Sequence, residues 1–469
     1  MIIPFCCAAL LALPAAADTI VLKSGTRIVV DSVREENGRV EYTIGDNTLT
    51  LPKSIVARVE TGPPASAAKK TTDSDPITTE ELPDIREQLA VEDSVMKRVI
   101  QGDKVDAAAL EQVEKAGPPG QPAAAYAIAA SLEQGKGDFK SASEYLRRAI
   151  QLLPHHPVLL ENYAALLLRM NRFEEALMYA EQAAHTPPPS ADDYTVLGFT
   201  YYKNDRNRDA IAALKKSMQI APSDKAKSLL DRIERESRTE AAFHEQSSSH
   251  FTLRYEGSQS ADALRQQILN ALEGDYRVLQ NELGASPPTI FISLYTDQAF
   301  FDVTQAPAWS AALNDGKIRI PISGVKSVTP ELARILRHEL THSFISFITH
   351  NRAPQWLNEG VATLEQGVEV APFGVRLASL YSAGQQIPLS QLEGNFESYS
   401  SGEASVAYAE SVAAVQFIRE TYGMPGVSAL LQRIGDGQSV ESALRGTVHG
   451  GYAELEAQIT NYLKKNYGS

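Results

Sequence analysis

Two histidines and two glutamates are spaced as a metal site requires. Residues 338–342 read HELTH, and Glu359 follows within the sequence WLNEGVA. If the first segment is helical, His338 and His342 lie one turn apart, with Cβ atoms about 5–6 Å from each other. Two imidazoles placed in this way can both reach one zinc ion at about 2.0–2.1 Å.

Glu339 is next to His338 in the chain but points elsewhere on a helix. At about 3.6 residues per turn, its side chain is rotated by roughly 100° from that of His338, so it cannot easily bind the same ion. It can lie beside a water on that ion, which is where a general base is needed. We therefore predict that Glu339 accepts a proton from this water.

A catalytic zinc ion has three protein ligands and one open position. Both cysteines, Cys6 and Cys7, lie in an N-terminal segment that we expect to be removed, so the third ligand must be His, Asp or Glu. Glu359 is the best candidate, because Pro354 can begin a second helix and Glu359 follows within two turns. The alternative is an amphipathic helix that spells HELTH by chance, and the correctly spaced glutamate argues against it.

Two helices are needed to hold these groups in place. Thr329 and Pro330 suit the N-cap and the first residue of a helix, and apolar residues at helical spacing continue to Phe347. This pattern predicts a helix over 330–349. A second helix is predicted over 354–366, with the short segment HNRAP turning the chain between the two.

The flanking sequence predicts a mixed domain of strands and helices. Alternating and helical patterns occur in separate segments, which predict strands over 250–256, 288–295 and 316–322 and helices over 260–283 and 404–422. Strands followed by helices indicate an α+β domain, which we place at residues 247–469.

A 34-residue period precedes this domain. The residues that carry it are Pro154, Pro188 and Pro222, together with Ala142, Ala176 and Ala210. The period resembles three tetratricopeptide repeats over 123–222. Each repeat would be a helix pair that buries its apolar face by stacking on the next, leaving a concave groove for a protein partner. The whole helical region is predicted to span 80–243, including a capping helix after the repeats.

Three sections of different composition make up the N-terminal part of the chain. Residues 1–17 are apolar and end in small residues, as a secretory signal peptide does, although the start lacks Lys or Arg. In residues 18–60, apolar and polar residues alternate in short segments that turn residues separate. This pattern predicts a small SH3-like β-barrel. Residues 61–79 predict a flexible linker. We therefore expect a secreted or periplasmic protein with no transmembrane anchor.

The two motifs HELTH and WLNEGVA resemble those of the gluzincin metallopeptidases. Residues 247–469 resemble the peptidase-MA-like domains that often follow tetratricopeptide repeats in bacterial proteins. The resemblance implies a zinc-dependent peptidase. It assigns the metal to His338, His342 and Glu359 and the role of general base to Glu339. It is specific at these two motifs and loose elsewhere.

Two features of related enzymes are missing. Zinc aminopeptidases carry a Gly-Ala-Met-Glu-Asn strand that binds the amino terminus of a substrate, and the candidate strand here, GKIRIPISG, has neither Glu nor Asn. Thermolysin-like enzymes have an Asp four residues after the third ligand, where this chain has Thr363. We therefore do not infer aminopeptidase activity, and we expect Asn358 to help to orient the ligands.

A tyrosine and a strand complete the candidate site. Family members tend to have a Tyr early in a later helix, and Tyr408 in SVAYAESVAAVQFI is at such a position. Its phenol would stabilise the oxyanion of a tetrahedral intermediate; an ordinary core tyrosine is the alternative, with equal weight. We expect Glu410 to face solvent, and we expect strand 317–322 to form the cleft edge and pair with an extended peptide.

These features support two kinds of function. The first is a zinc peptidase in which the ion activates a water, Glu339 moves its proton to the leaving amine, and the repeats recruit a protein partner or substrate. The second is a non-catalytic repeat scaffold, or an envelope assembly factor, whose peptidase-like domain only binds. The formal net charge of −14 argues against broad electrostatic binding to nucleic acid.

Overall fold

The computed structural model describes most of the chain after the expected signal peptide. The described residues are 18–22, 27–30, 32–36, 39–44, 47–53, 56–60, 93–116, 118–257, 261–304, 312–322, 324–394, 396, 399 and 401–468. They form two compact units, one built on the strands of residues 18–60 together with residues 399–405, and the other on the remaining residues from 93 onward. The predicted signal peptide and the predicted linker lie outside the described residues.

Short antiparallel strands form the N-terminal unit. They are β1 (Asp18–Leu22), β2 (Arg27–Val30), β3 (Ser32–Glu36), β4 (Arg39–Ile44), β5 (Asn47–Pro52) and β6 (Val56–Glu60). They pair into two three-stranded sheets with the orders β2-β1-β6 and β3-β4-β5. Ile20 and Val40 are buried, one in each sheet. The alternating sequence therefore does form β structure.

Stacked helices form the first part of the second unit. They are α1 (Asp93–Val99), α2 (Ala107–Ala116), α3 (Gly120–Lys136), α4 (Phe139–Leu152), α5 (Pro157–Arg169), α6 (Phe173–Ala184), α7 (Ala191–Lys203), α8 (Asn207–Ile220) and α9 (Asp224–Thr239). Helices α3–α8 pack as three successive pairs, and α9 packs on the last pair. This array confirms the three helix pairs that the 34-residue period predicts.

Small residues allow the helices of a pair to approach closely. In the third pair, a Cβ added to Gly198 of α7 would lie 2.7 Å from Cγ of Leu214 in α8. Ala210 of α8 is fully buried at the same contact. Gly198 and Ala210, the latter one of the alanines that carry the period, are therefore required by packing, because a larger side chain at either position would separate the helices.

The helical region predicted for 80–243 is interrupted near its start, and residues 80–92 of it lie outside the described residues. Helices α1 and α2 are separated by a two-stranded hairpin, β7 (Ile100–Gln101) and β8 (Lys104–Val105). Gly102, in the turn of this hairpin, has φ +66°, a left-handed conformation that a glycine adopts without strain.

A five-stranded sheet follows the array. Its strands are β9 (Phe243–Ser247), β10 (Phe251–Glu256), β11 (Ile290–Tyr295), β12 (Leu313–Asn314) and β13 (Ile318–Pro321). The order is β12-β13-β11-β10-β9, with the three central strands parallel and the two outer strands antiparallel. The prediction that strand 317–322 forms the edge is wrong, because β12 pairs antiparallel with Ile318 and Arg319 of β13 and is itself the last strand in the order.

Helices cover this sheet and complete the chain. They are α10 (Asp262–Leu283), α11 (Asp297–Thr304), α12 (Pro330–Thr349), α13 (Gln355–Glu365), α14 (Gly374–Ser382), α15 (Ser401–Gly435), α16 (Val440–Val448) and α17 (Tyr452–Tyr467). Helix α15 is interrupted at Gly423, where φ is +71° and Pro425 follows. Within the described part of the chain, none of the helices combines the length and the apolar character needed to cross a membrane.

Candidate metal centre

The helix that carries HELTH begins and packs as its sequence predicts. The hydroxyl of Thr329 accepts a hydrogen bond from the backbone N–H of Leu332 at 3.1 Å, which caps α12, and Pro330 is its first residue. Leu336 and Phe344 are fully buried on its apolar face. The apolar face therefore holds the helix in the core, while the two histidines lie on a different face.

Three side chains from two helices converge on one point. His338 and His342 of α12 have their Nε2 atoms 3.0 Å apart, and Oε2 of Glu359 in α13 lies 3.7 Å and 3.9 Å from them. Among the described residues, this is the only group of three or more His, Cys, Asp or Glu residues whose ligand atoms all lie within 4.8 Å of one another. A triangle with these sides has a centre about 2.1 Å from each corner, which is the zinc–ligand distance.

Two polar residues of α13 hold the ligands in this orientation. Oδ1 of Asn358 lies 3.0 Å from Nδ1 of His342, and Nε2 of Gln355 donates to Oε1 of Glu359 at 2.9 Å. The first contact fixes a proton on Nδ1 of His342 and leaves Nε2 free to bind an ion. The second leaves Oε2 of Glu359 facing the histidines. Sequence reasoning anticipated Asn358 but missed Gln355, whose signal is its position one helical turn before Glu359.

Burial dominates the electrostatics of His338 and Glu359. It lowers the pKa of His338 to about 3, with a further contribution from His342, opposed by the nearby carbonyl of Ala362 and the side chain of Gln366. It also raises the pKa of Glu359, opposed by His342. A neutral imidazole is the form that binds a metal, so the low pKa of His338 favours the ligand state.

Glu339 is buried beside the cluster without joining it. Its side chain is 9% exposed, and its carboxylate is not among the three converging groups. Burial raises its pKa to about 7, opposed by His342 and reinforced by Glu359. A carboxyl with a pKa near neutrality can both accept and release a proton, as a general base that later acts as an acid must do.

The second helix approaches its neighbour closely behind the ligands. A Cβ added to Gly360 would lie 2.5 Å from the carbonyl oxygen of Ser411 in α15. Trp356 is fully buried, and its Nε1 donates to the hydroxyl of Tyr452 at 3.3 Å. Because Gly360 follows Glu359 directly, this contact determines the distance between α13 and α15 and therefore the position of Glu359.

Tyr408 lies one turn before this helix contact and is half-buried. Its ring centre is 5.5 Å from that of Phe396, in an edge-to-face contact. It is not one of the three groups that converge, and its catalytic role stays a prediction. The expectation that Glu410 faces solvent is wrong: Glu410 is fully buried, and its carboxylate accepts from the backbone N–H of Ile387 at 3.1 Å and 3.2 Å.

Comparisons with known proteins match two segments of the chain. Residues 281–465 match the family profile described as Peptidase MA superfamily, and residues 133–194 match that of the tetratricopeptide repeat. A curated relative, Small glutamine-rich tetratricopeptide repeat-containing protein 2 of Mycosarcoma maydis, is 30% identical over 87 residues. The match spans 19% of this chain and 25% of the relative. The chain is therefore similar to the Peptidase MA superfamily over residues 281–465 and to the tetratricopeptide repeat over residues 133–194.

Proposed function

We propose that this protein is a zinc-dependent peptidase of the gluzincin type. The observation that carries the proposal is the convergence of His338, His342 and Glu359 at distances that suit one zinc ion. All three residues lie inside the segment that matches the Peptidase MA superfamily. The donor set also suits zinc, since two imidazoles and one carboxylate leave a fourth position for a water or a substrate.

The chemistry is divided between the ion and Glu339. Zinc at this site would supply Lewis acidity, which lowers the pKa of a water and stabilises negative charge on the substrate carbonyl oxygen. Glu339 accepts the proton of the attacking water and then passes it to the leaving amine. Its buried position and raised pKa suit both transfers. Tyr408 is proposed to donate a hydrogen bond to the oxyanion.

The edge of the sheet offers a place for an extended peptide. Among the described residues, β12 pairs with β13 alone, so its other side has unpaired backbone groups. Asn314 of β12 donates through Nδ2 to the carbonyl oxygen of Glu339 at 2.6 Å. A peptide added beside β12 would therefore run close to the general base.

We assign the remaining sections to recruitment and location. The helical array is proposed to bind a protein partner or substrate, as tetratricopeptide repeats typically do. The strands of residues 18–60 are proposed to form a small SH3-like barrel. The apolar segment 1–17 supports secretion or a periplasmic location.

The decisive experiment measures zinc content and peptide hydrolysis on the same samples. Wild-type protein should contain about one zinc ion per chain and hydrolyse a peptide library. Glu339→Gln should keep the zinc but lose at least 10²–10⁴-fold of the turnover, because it cannot accept a proton (about the range for general base catalysis). A well-folded wild-type protein that neither binds zinc nor cleaves any peptide would favour the non-catalytic scaffold instead.

A further inference from the structure

The helical array and the ligand-bearing helices belong to one compact unit. The turn inside each of the three helix pairs touches the domain that carries the metal site. The contacts are Gly137 with Arg352, Asn171 with Ser346, and Asp205 with Lys317. The array is therefore attached along its length, at three points, rather than joined at one end.

The first contact lies at the loop between the two ligand helices. Arg352 sits between α12 and α13, and its guanidinium donates to the carbonyl oxygens of Gly137 at 3.0 Å, Ile434 at 2.8 Å and Gly437 at 3.4 Å. Burial lowers the pKa of Arg352, and carbonyl oxygens solvate its charge. One side chain thus connects the first turn of the array, the end of α15 and the loop between the ligand helices.

The array is shaped to receive this arginine. Gly137 has φ +79°, and a Cβ added there would lie 2.2 Å from Cζ of Arg352, so only a glycine leaves room for the guanidinium. The ring of Phe139 lies 5.6 Å from Cζ of Arg352 and has its centre 5.9 Å from that of His350. Residues of the array therefore contact the loop at both of these positions.

The second contact reaches the ligand helix itself. Asn171 adopts φ +55° in the turn of the second helix pair, and its Nδ2 donates to the carbonyl oxygen of Ser346 at 3.1 Å. Ser346 follows His342 by one helical turn on α12. The array thus binds the backbone of α12 just beyond its second ligand.

The third contact reaches the edge of the sheet. Lys317, 6% exposed, is paired at 2.9 Å with both Asp205 and Glu236 of the array. On the same sheet edge, Asn314 donates to the carbonyl oxygen of Glu339 at 2.6 Å and to Oγ of Ser343 at 2.7 Å. The segment 314–317 therefore contacts the array at one end and the backbone of Glu339 at the other.

We infer that the helical array is a structural part of the metal centre, with Arg352 as the residue that positions α13 relative to α12. The inference rests on the proposed metal site. Ligands from two helices bind one ion tightly only if the helices are held to within about 0.5 Å of the required geometry. The loop between the helices is the short segment that sets this geometry, and the array binds it.

The test compares zinc affinity in the full chain, measured by competition with a chelator well below the unfolding temperature. Arg352→Ala should bind zinc about tenfold more weakly than wild type, since loss of residues that orient ligands typically costs 10–100-fold. Asn171→Gly, which tolerates the positive φ and removes only the amide, should weaken binding by a smaller factor. Arg206→Ala is the control, because its ion pairs with Asp209 and Glu181 stay within the array.

Hydrogen exchange of residues 338–359 in the metal-free proteins gives a second readout. Exchange should be faster in Arg352→Ala and in Asn171→Gly than in wild type and in Arg206→Ala. A purely structural role would lower the unfolding temperature but leave zinc affinity within twofold of wild type, and that result would overturn the inference. A wild-type protein that takes up no zinc refutes the proposed metal site instead. The exchange rates then decide alone whether the array holds the two helices.

Discussion

Oδ1 of Asn358 lies 3.0 Å from Nδ1 of His342, although the two residues are 16 positions apart. The contact joins α13 to α12 at the residue just before Glu359. A histidine that donates from Nδ1 presents the lone pair of Nε2 to an ion. In the sequence NEG, the first residue therefore orients one proposed metal ligand, His342, and the second residue, Glu359, is another proposed ligand.

Replacing Asn358 should weaken zinc binding without removing a ligand. Asn358→Ala deletes the acceptor that fixes the Nδ1 proton of His342, so zinc affinity should fall by about 10–100-fold. Asn358→Asp keeps an oxygen at the same place and should bind zinc much better than the alanine variant. Chelator competition measures both. Equal affinity in wild type and in Asn358→Ala would show that this contact does not orient the ligand.

Replacing Glu359 should have a larger effect than replacing the residue that holds it. Glu359→Ala removes the third ligand and should lose zinc to a chelator that wild type resists. Gln355→Ala leaves the carboxylate but removes the 2.9 Å hydrogen bond to its Oε1, so zinc affinity should fall about tenfold. Zinc content after dialysis against graded chelator distinguishes the two. Full occupancy in Glu359→Ala would contradict its assignment as a ligand.

Adding one methyl group at Gly360 should destabilise the fold. The added Cβ would meet the carbonyl oxygen of Ser411 at 2.5 Å, and overpacking of this kind costs about 1–3 kcal/mol. Gly274→Ala, in the interior of α10, is a matched control, because a Cβ added there would meet no atom within 4 Å. That change should stabilise the helix by up to about 1 kcal/mol. Unfolding in urea measures the change in the free energy of unfolding for each variant. A Gly360→Ala protein more stable than wild type would refute the close contact.

The local patterns in the sequence were sufficient to place the main groups. The i, i+4 spacing of His338 and His342 determines that they share a helix face, and the 34-residue period determines the helix pairs. Both signals arise from neighbours within one or two turns or from exact repetition. Both can therefore be recognised without any knowledge of tertiary contacts.

Contacts between distant residues could not be predicted in this way. Lys317 and Glu236 form a buried ion pair although they are 81 residues apart. The two-residue strand β12 carries too little pattern to be recognised, and the sequence alone therefore predicts β13 as the edge strand. A glutamate is usually exposed, and Glu410 is buried only because of the segments that pack around it. These misses share one cause: each depends on which segment packs against another.

The burial of Glu410 predicts a specific pH dependence of stability. Burial raises its pKa from 4.5 to about 8, opposed by the N–H of Ile387 and reinforced by Glu456. Because the folded state holds this proton more tightly than the unfolded state, the stabilisation is fully present below pH 4.5. It is lost as the pH rises through about 8. The loss amounts to a few kcal/mol, at about 1.4 kcal/mol for each pKa unit.

Glu410→Gln should remove most of this pH dependence. Glutamine resembles the protonated carboxyl and keeps an oxygen that can accept from Ile387, so the variant should match wild type near pH 5 and exceed its stability above pH 8. The exposed Glu174→Gln is the control and should follow the wild-type curve. The measurement is the free energy of unfolding in urea between pH 5 and pH 9. Parallel curves for wild type and Glu410→Gln would show that Glu410 does not hold a proton in the folded protein.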